Sequence, residues 1–176
     1  MGLFNPYKGF EIIEVQKTLP IFTTIPRDAP NILPLIKQYR EEHSENHETN
    51  VKCNWRSDWM VQNDERFRSF NEWILQACSF VCQYHLNTQV TFSIANMWLM
   101  MYESGDYAIP HDHFPYCLSV IYYVDCDEDA APTTFEDSVE IQPEVNKLVI
   151  FPSQLCHEVK HTEGRRVTVS MNLNQY

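Results

Sequence analysis

Basic side chains are scarce: 13 Lys and Arg stand against 24 Asp and Glu, a formal net charge of −11. Neutralising a phosphate backbone needs clustered cations, so nucleic acid is excluded as a partner. Glycine is equally rare, with four in 176 residues, and no repeat or low-complexity tract provides a domain linker. No apolar run approaches the length of a membrane span, and residues 1–10 lack a basic region followed by an apolar core. A soluble protein without membrane contact or secretory signal is expected. Gly2 fails as a myristoylation site, because Pro6 stands where Ser or Thr is required. The six cysteines (Cys53, Cys78, Cys82, Cys117, Cys126 and Cys156) contain no Cys-x-x-Cys pair and sit mostly inside apolar runs. They read as small hydrophobes in a reducing, cytoplasmic compartment.

Apolar residues make up 44% and aromatic residues 13% of the chain, enough to bury a core in one domain over 1–176. Residues 10–25 carry clustered Ile, Val, Leu and Phe between prolines, which predicts one or two edge strands. Asn31 is the expected N-cap of a first helix through Ile32, Leu35, Ile36 and Tyr39; residues 40–50 then read as a surface loop. A second helix is expected from Asn63, with Phe67, Phe70, Ile74, Cys78, Val81, Cys82 and His85 at steps of three and four. His85, alone at the end of this stripe, is a helix-end histidine. From residue 88 the period becomes two. Strands are expected over 90–102, 117–124, 147–151 and 166–173. Strands and supporting helices over 1–87 followed by a β core over 88–176 give an α+β fold with a barrel-like sheet.

His111 and His113 are separated by one residue, so an extended backbone places both imidazoles on one face and turns Asp112 away. His157 follows the strand over 147–151 and can return to the same sheet. Three imidazoles suit Fe(II), Zn(II), Cu(II) or Ni(II), and seven histidines can also produce a His-x-His by chance. In the last strand Arg166, Thr168, Ser170 and Asn172 share one face, opposite Val167, Val169, Met171 and Leu173. Arg165 reads as a surface ion-pair partner. The acidic run 125–129 would suit a basic partner or a solvated loop.

The segment Tyr102-Glu103-Ser104-Gly105-Asp106-Tyr107-Ala108-Ile109-Pro110-His111-Asp112-His113 resembles the Tyr-x-x-Gly then His-x-Asp/His segment of 2-oxoglutarate/Fe(II)-dependent oxygenases, above all the prolyl-hydroxylase-like group. Residues 118–124, Phe151-Pro152-Ser153 to His157, and 165–172 resemble the strands that follow, so order and spacing match along 96–174. Asn54-Trp55-Arg56-Ser57-Asp58-Trp59 and the helix after it are similar to the N-terminal part of a poorly characterised His-x-His subgroup.

The resemblance implies a double-stranded β-helix, a jelly-roll or cupin-like barrel, with Fe(II) at His111, His113 and His157. It implies 2-oxoglutarate and O₂ as co-reactants, with decarboxylation to succinate coupled to hydroxylation of an unidentified small-molecule or peptide substrate such as peptidyl proline. Arg166, nine residues after His157, matches the family's clamp for the distal carboxylate of 2-oxoglutarate. Thr168 would add a hydroxyl there, Tyr123 matches a tyrosine donating to the same carboxylate, and Tyr102 matches another near the cosubstrate. Either tyrosine fits a core role as well. One departure is that His113 stands where most members carry a carboxylate, which leaves the site one charge more positive.

The alternatives are a cupin-type metal-dependent dioxygenase and a non-catalytic metal-binding β-barrel module. The cupin motif lacks its glutamate, since Cys117 and Leu118 stand there, and Gln154 replaces its glycine. A structural Zn(II) would need a fourth ligand from Asp112, His161 or Cys156. Aromatic-rich N-terminal segments would support a homodimer.

Overall fold

In the computed structural model, which describes residues 18–47 and 49–176, alternating side chains build two antiparallel sheets. In chain order the elements are β1 (Phe22–Thr24), α1 (Leu33–Glu42), β2 (Val51–Lys52), β3 (Trp55–Arg56), α2 (Arg68–His85), β4 (Phe92–Tyr102) and β5 (Tyr107–His111). Then follow β6 (Leu118–Cys126), β7 (Thr133–Phe135), β8 (Val139–Ile141), β9 (Leu148–Pro152), β10 (His157–Val159) and β11 (Arg166–Gln175). The larger sheet runs β1-β9-β6-β11-β4-β3 and the smaller β2-β5-β10-β7-β8. This is the expected α+β double-stranded β-helix, with helices packed on one sheet.

The period of two assigns the faces of the larger sheet. Met97, Leu99 and Met101 of β4 join Val167, Val169, Met171 and Leu173 of β11 against Ile36 and Tyr39 of α1 and Phe70, Ile74, Cys78 and Cys82 of α2. The opposite face, with Trp98, Met100 and Tyr102, packs on Val51, Ala108 and Val159 of the smaller sheet. Ile121, Tyr123, Val149 and Phe151 meet Phe135 in the same way. One layer of helices and two of sheet thus enclose an outer apolar core and an inner mixed one.

Several boundaries differ from the sequence expectation, each for a local reason. In residues 10–25 only Phe22–Thr24 forms a strand among the described residues, and 10–17 lie outside them. The N-cap of α1 is Ile32 rather than Asn31, whose Oδ1 accepts from the Leu33 N–H one position later at 3.3 Å. The loop after α1 begins at His43 instead of residue 40. The second helix starts at Arg68 rather than Asn63, because residues 61–63 and 65–67 form 3₁₀ turns. Asp64 breaks them apart in an extended conformation while its side chain accepts from the Arg66 N–H at 3.0 Å. His85 ends α2 as expected, its ring centroid 5.4 Å from that of Phe22. Gly164 has no space for a side chain: a Cβ would lie 2.0 Å from the Asp129 Oδ1. That close approach draws the acidic run onto the turn before β11, where Arg165 pairs with Asp125 at 2.9 Å. Among the described residues no helix is long and apolar enough to cross a membrane.

Ile74, fully buried on α2, tests whether the helix layer holds the larger sheet. Ile74→Ala should lower unfolding stability by about 2–5 kcal/mol, read from urea denaturation, with no change in m-value.

Candidate active site

The pairing of β5 with β10 sets His111 directly opposite His157. His113 lies just beyond the end of β5, where its backbone N–H donates to the Ser153 carbonyl at 2.8 Å. Ser153 is itself fixed from the larger sheet: its hydroxyl shares a hydrogen bond of 2.8 Å with that of Ser119, which donates to Asn172 Oδ1 at 2.7 Å. The three imidazole centroids stand 4.4–5.0 Å apart. Their potential ligand atoms lie within 4.8 Å of one another, and among the described residues no other His, Cys, Asp or Glu joins them. Asp112 turns away as expected, its Oδ1 accepting from the Phe114 N–H at 3.0 Å.

Two of the rings are oriented by the backbone. His111 Nδ1 lies 2.7 Å from the Ile109 carbonyl and His157 Nδ1 3.0 Å from that of Leu155. A carbonyl can only accept, so Nδ1 carries the hydrogen and Nε2 keeps its lone pair for the centre. This is how metal-ligating histidines are tuned. His157 is further wedged between Phe135 and Phe151. Burial, followed by the neighbouring imidazoles, pushes His113 down to about 3; burial and then His111 push His157 down to about 4. Burial also lowers His111. All three are neutral at pH 7 and able to donate a lone pair.

Across the cavity stands Arg166, the first residue of β11 and 2% exposed. Its guanidinium carbon lies 5.0 Å from both the Tyr102 and Tyr123 ring centroids. Nη1 donates to the Ala131 carbonyl at 2.8 Å and Nη2 to Thr133 Oγ1 at 3.3 Å, while Nε is buried without a partner. Thr168 Oγ1 is also buried and unpartnered. The Tyr123 hydroxyl shares a hydrogen bond of 2.7 Å with Thr133 Oγ1. Tyr102 finds only the Met100 sulfur at 3.5 Å, and burial raises its pKa. A buried guanidinium donor without a partner calls for an explanation, and a bound ligand is one.

The structure brings His111, His113, His157, Arg166 and Tyr102 to one cavity. Tyr123 and Thr168 do not line it; Tyr123 packs against the guanidinium and Thr168 lies two residues along the same strand face. Sequence reasoning assigned no role to Arg56, Trp59, Trp98 or Thr133, which also line the cavity. The alternation along 90–102 could have placed Trp98 on the inner face beside Tyr102. The two-residue strand holding Arg56 has no period to read.

No protein-family model matches the sequence, and neither does any curated protein. Solved structures do match. A Pseudomonas putida prolyl-4-hydroxylase superposes with a TM-score of 0.67 at 15% identity, covering 89% of this chain and 93% of the other. The Trichoplax adhaerens prolyl hydroxylase in complex with a hypoxia-inducible-factor peptide fragment gives 0.64 at 16% identity, covering 89% and 83%. SnoN, a non-haem α-ketoglutarate-dependent epimerase of nogalamycin biosynthesis, gives 0.63 at 11%, covering 87% and 76%.

The lowered imidazole pKa values predict a pH dependence of the metal-free protein. Unfolded histidines take up protons near 6.5 while the folded rings do not, so the unfolded state binds more protons below that pH. Stability should therefore be fully present above 6.5 and fall as pH drops towards 4. Urea unfolding along a pH series should show a shallower loss in His113→Gln and His157→Gln than in wild type. The chain carries the double-stranded β-helix of the prolyl hydroxylases and other 2-oxoglutarate/Fe(II) oxygenases, with three neutral imidazoles facing a buried arginine across its cavity.

Proposed function

We propose that residues 1–176 form one catalytic domain, an Fe(II)- and 2-oxoglutarate-dependent oxygenase that hydroxylates an as yet unidentified small-molecule or peptide substrate. The observation that carries this is the pairing of a three-imidazole cluster with a buried arginine whose Nε lacks a partner, inside a cavity lined by no Asp or Glu among the described residues. His111, His113 and His157 would hold the metal through Nε2. When bound, Fe(II) with 2-oxoglutarate and O₂ would supply the oxidant, one oxygen atom going to succinate, formed with release of CO₂, and the other to the substrate.

The chain's own contribution is binding and orientation. Arg166 would take the distal carboxylate of 2-oxoglutarate, completing the hydrogen bonding of its Nε; Thr168, expected to help, lies outside the cavity lining. Tyr102 and Tyr123 flank the guanidinium and fix its plane. Thr133 joins the two sheets at this point, since its hydroxyl meets both Arg166 and Tyr123. Trp98, Met100 and Phe151 line the cavity with apolar surface that keeps water from it.

Neither alternative explains the arginine. A structural zinc site would want a fourth protein ligand, yet the candidates are engaged elsewhere. Asp112 caps the following turn, and His161 Nδ1 bonds the Gly105 carbonyl at 2.7 Å. The cysteine beside His157 forms no part of the cluster. The similar structures support hydroxylation of proline as one candidate reaction, and the epimerase supports a wider set of C–H oxidations on the same scaffold.

Purified protein mixed anaerobically with Fe(II) and 2-oxoglutarate should develop a visible charge-transfer band. His111→Ala should abolish it, and Arg166→Ala should raise the concentration of 2-oxoglutarate needed to form it by roughly 10²-fold or more, the loss of a buried bidentate charge pair. Stoichiometric metal without a band in wild type would return the protein to the cupin or structural-metal readings.

A further inference from the structure

The cavity holds more positive charge than the cosubstrate uses. Arg56, on β3, is 0% exposed and lines the same cavity as the histidines. Its Nη1 donates to the carbonyls of Ser57 at 3.0 Å and His47 at 3.3 Å. The guanidinium carbon lies 3.7 Å from the Trp59 ring centroid and 5.6 Å from that of Trp98. Nε and Nη2 have no partner. These two donors form one edge of the guanidinium, the edge that grips a carboxylate through parallel hydrogen bonds. Elsewhere in this chain the same edge is filled: Arg66 Nε and Nη2 donate to the two oxygens of Asp64 at 2.9 and 2.6 Å.

An unpaired buried cation costs several kcal/mol unless something compensates it. Burial lowers the Arg56 pKa to about 10, which leaves the group charged at neutral pH. Stacking on Trp59 offsets part of the cost. Among the described residues no Asp or Glu lines this cavity. The nearby Asp58 directs Oδ1 to the Met60 N–H at 2.8 Å and forms no ion pair with Arg56. Asp58 acts on Arg56 only through its charge, and the Nε–Nη2 edge is left for a ligand's anion to fill.

2-Oxoglutarate does not account for it. On the reading above, one of its carboxylates belongs to Arg166 and the other to the metal, so neither remains for Arg56. The location also differs. Arg166 is enclosed between two buried tyrosines, whereas the Arg56 subsite ends at Trp59, which is 39% exposed. Its inner wall is Trp98, whose ring centroid is 5.5 Å from that of His113. Arg56 thus lies deeper than His111 and His113, which are half-buried at the same cavity.

We propose that Arg56 receives a carboxylate of the substrate, so that the molecule oxidised is a carboxylic acid, either free or as the end of a peptide, resting against the edge-to-face pair of Trp59 and Trp98, whose ring centroids are 4.7 Å apart. What happens to that acid rests on the oxygenase reading; its binding does not.

The test follows the arginine Nε–H resonances of ¹⁵N-labelled wild-type protein, metal-free and then loaded with Zn(II) and 2-oxoglutarate. Benzoate and N-acetylglycine represent a free acid and a peptide end, with benzamide and N-acetylglycinamide as uncharged counterparts. At least one acid should move the Arg56 resonance at millimolar concentration while neither amide does, and the responding acid identifies the source. Arg56→Lys should weaken that acid roughly tenfold or more, with 2-oxoglutarate affinity unchanged.

If neither acid moves Arg56, or if Arg56→Lys weakens 2-oxoglutarate instead, the proposal is overturned. Should Arg56→Lys fail to fold, the wild-type titration decides alone, supported by weaker acid binding in Trp59→Ala. Acid binding at Arg56 with no 2-oxoglutarate binding anywhere would remove the oxygenase reading and leave this one standing.

Discussion

The site depends on the register of β11 between β4 and β6. In that register Arg166 lies opposite Tyr102 and Thr168 opposite both Met100 and Tyr123. A slip of one residue would exchange the faces of the strand. Arg166, Thr168, Ser170 and Asn172 would then be driven into the layer where Val167, Val169, Met171 and Leu173 now meet the helices. Burying four polar groups there, one of them charged, would cost far more than a domain's stability. The register is pinned by the same alternation that creates the cavity. The bulges keep it so on both sides: Ala95 is the extra residue opposite the step from Asn172 to Leu173, and Val124 opposite the step from Val167 to Thr168.

The smaller sheet carries the complementary half. Its strands are short, yet the cross-strand pair of His111 with His157 lies where β10 is held from both sides, by β5 and by β7. The bond from Ser119 to Asn172, together with the contact between the Ser119 and Ser153 hydroxyls, ties this half to β6 and β11. His113 then hangs from the Ser153 carbonyl. The distance between the imidazoles and Arg166 is therefore set by covalent and hydrogen-bonded paths rather than by loop packing, which is the arrangement a pre-organised site requires.

Much of this was legible in the sequence because long elements carry long periods. The eleven residues of β4 and ten of β11 alternate visibly, and the polar face headed by Arg166 stands out in the sequence alone. His-x-His placed two imidazoles on one side, which the centroid distance of 5.0 Å bears out. The short elements were invisible. Strands β7, β8 and β10 have three residues each and β2 and β3 only two, too few to display a period of two. Arg56 was missed for that reason: in a strand of two residues, nothing local separates an inward guanidinium from a surface one. Its indole neighbours come from residues 59 and 98, which only the fold brings together. The start of α2 was misplaced because Asp64 carries a cap's chemistry but serves a 3₁₀ turn.

His113 in the place of a carboxylate changes the electrostatics of the whole cavity. A divalent ion held by two imidazoles and one carboxylate keeps a single positive charge before any ligand arrives; held by three imidazoles it keeps two. Arg56 and Arg166 add two more, and among the described residues the lining offers no Asp or Glu in return. The charge balance is thereby left to whatever binds. Each anion that enters lowers the cost of holding the cations already there, so on the proposed function metal, cosubstrate and acidic substrate should favour one another's binding, a coupling that linkage makes reciprocal. The strongly acidic exterior fits the same logic: the field outside repels small anions, and their capture depends on short-range contacts with guanidinium edges inside a low-dielectric cavity. Selectivity then comes from shape and from the number of carboxylates a molecule can place at fixed positions, rather than from long-range attraction.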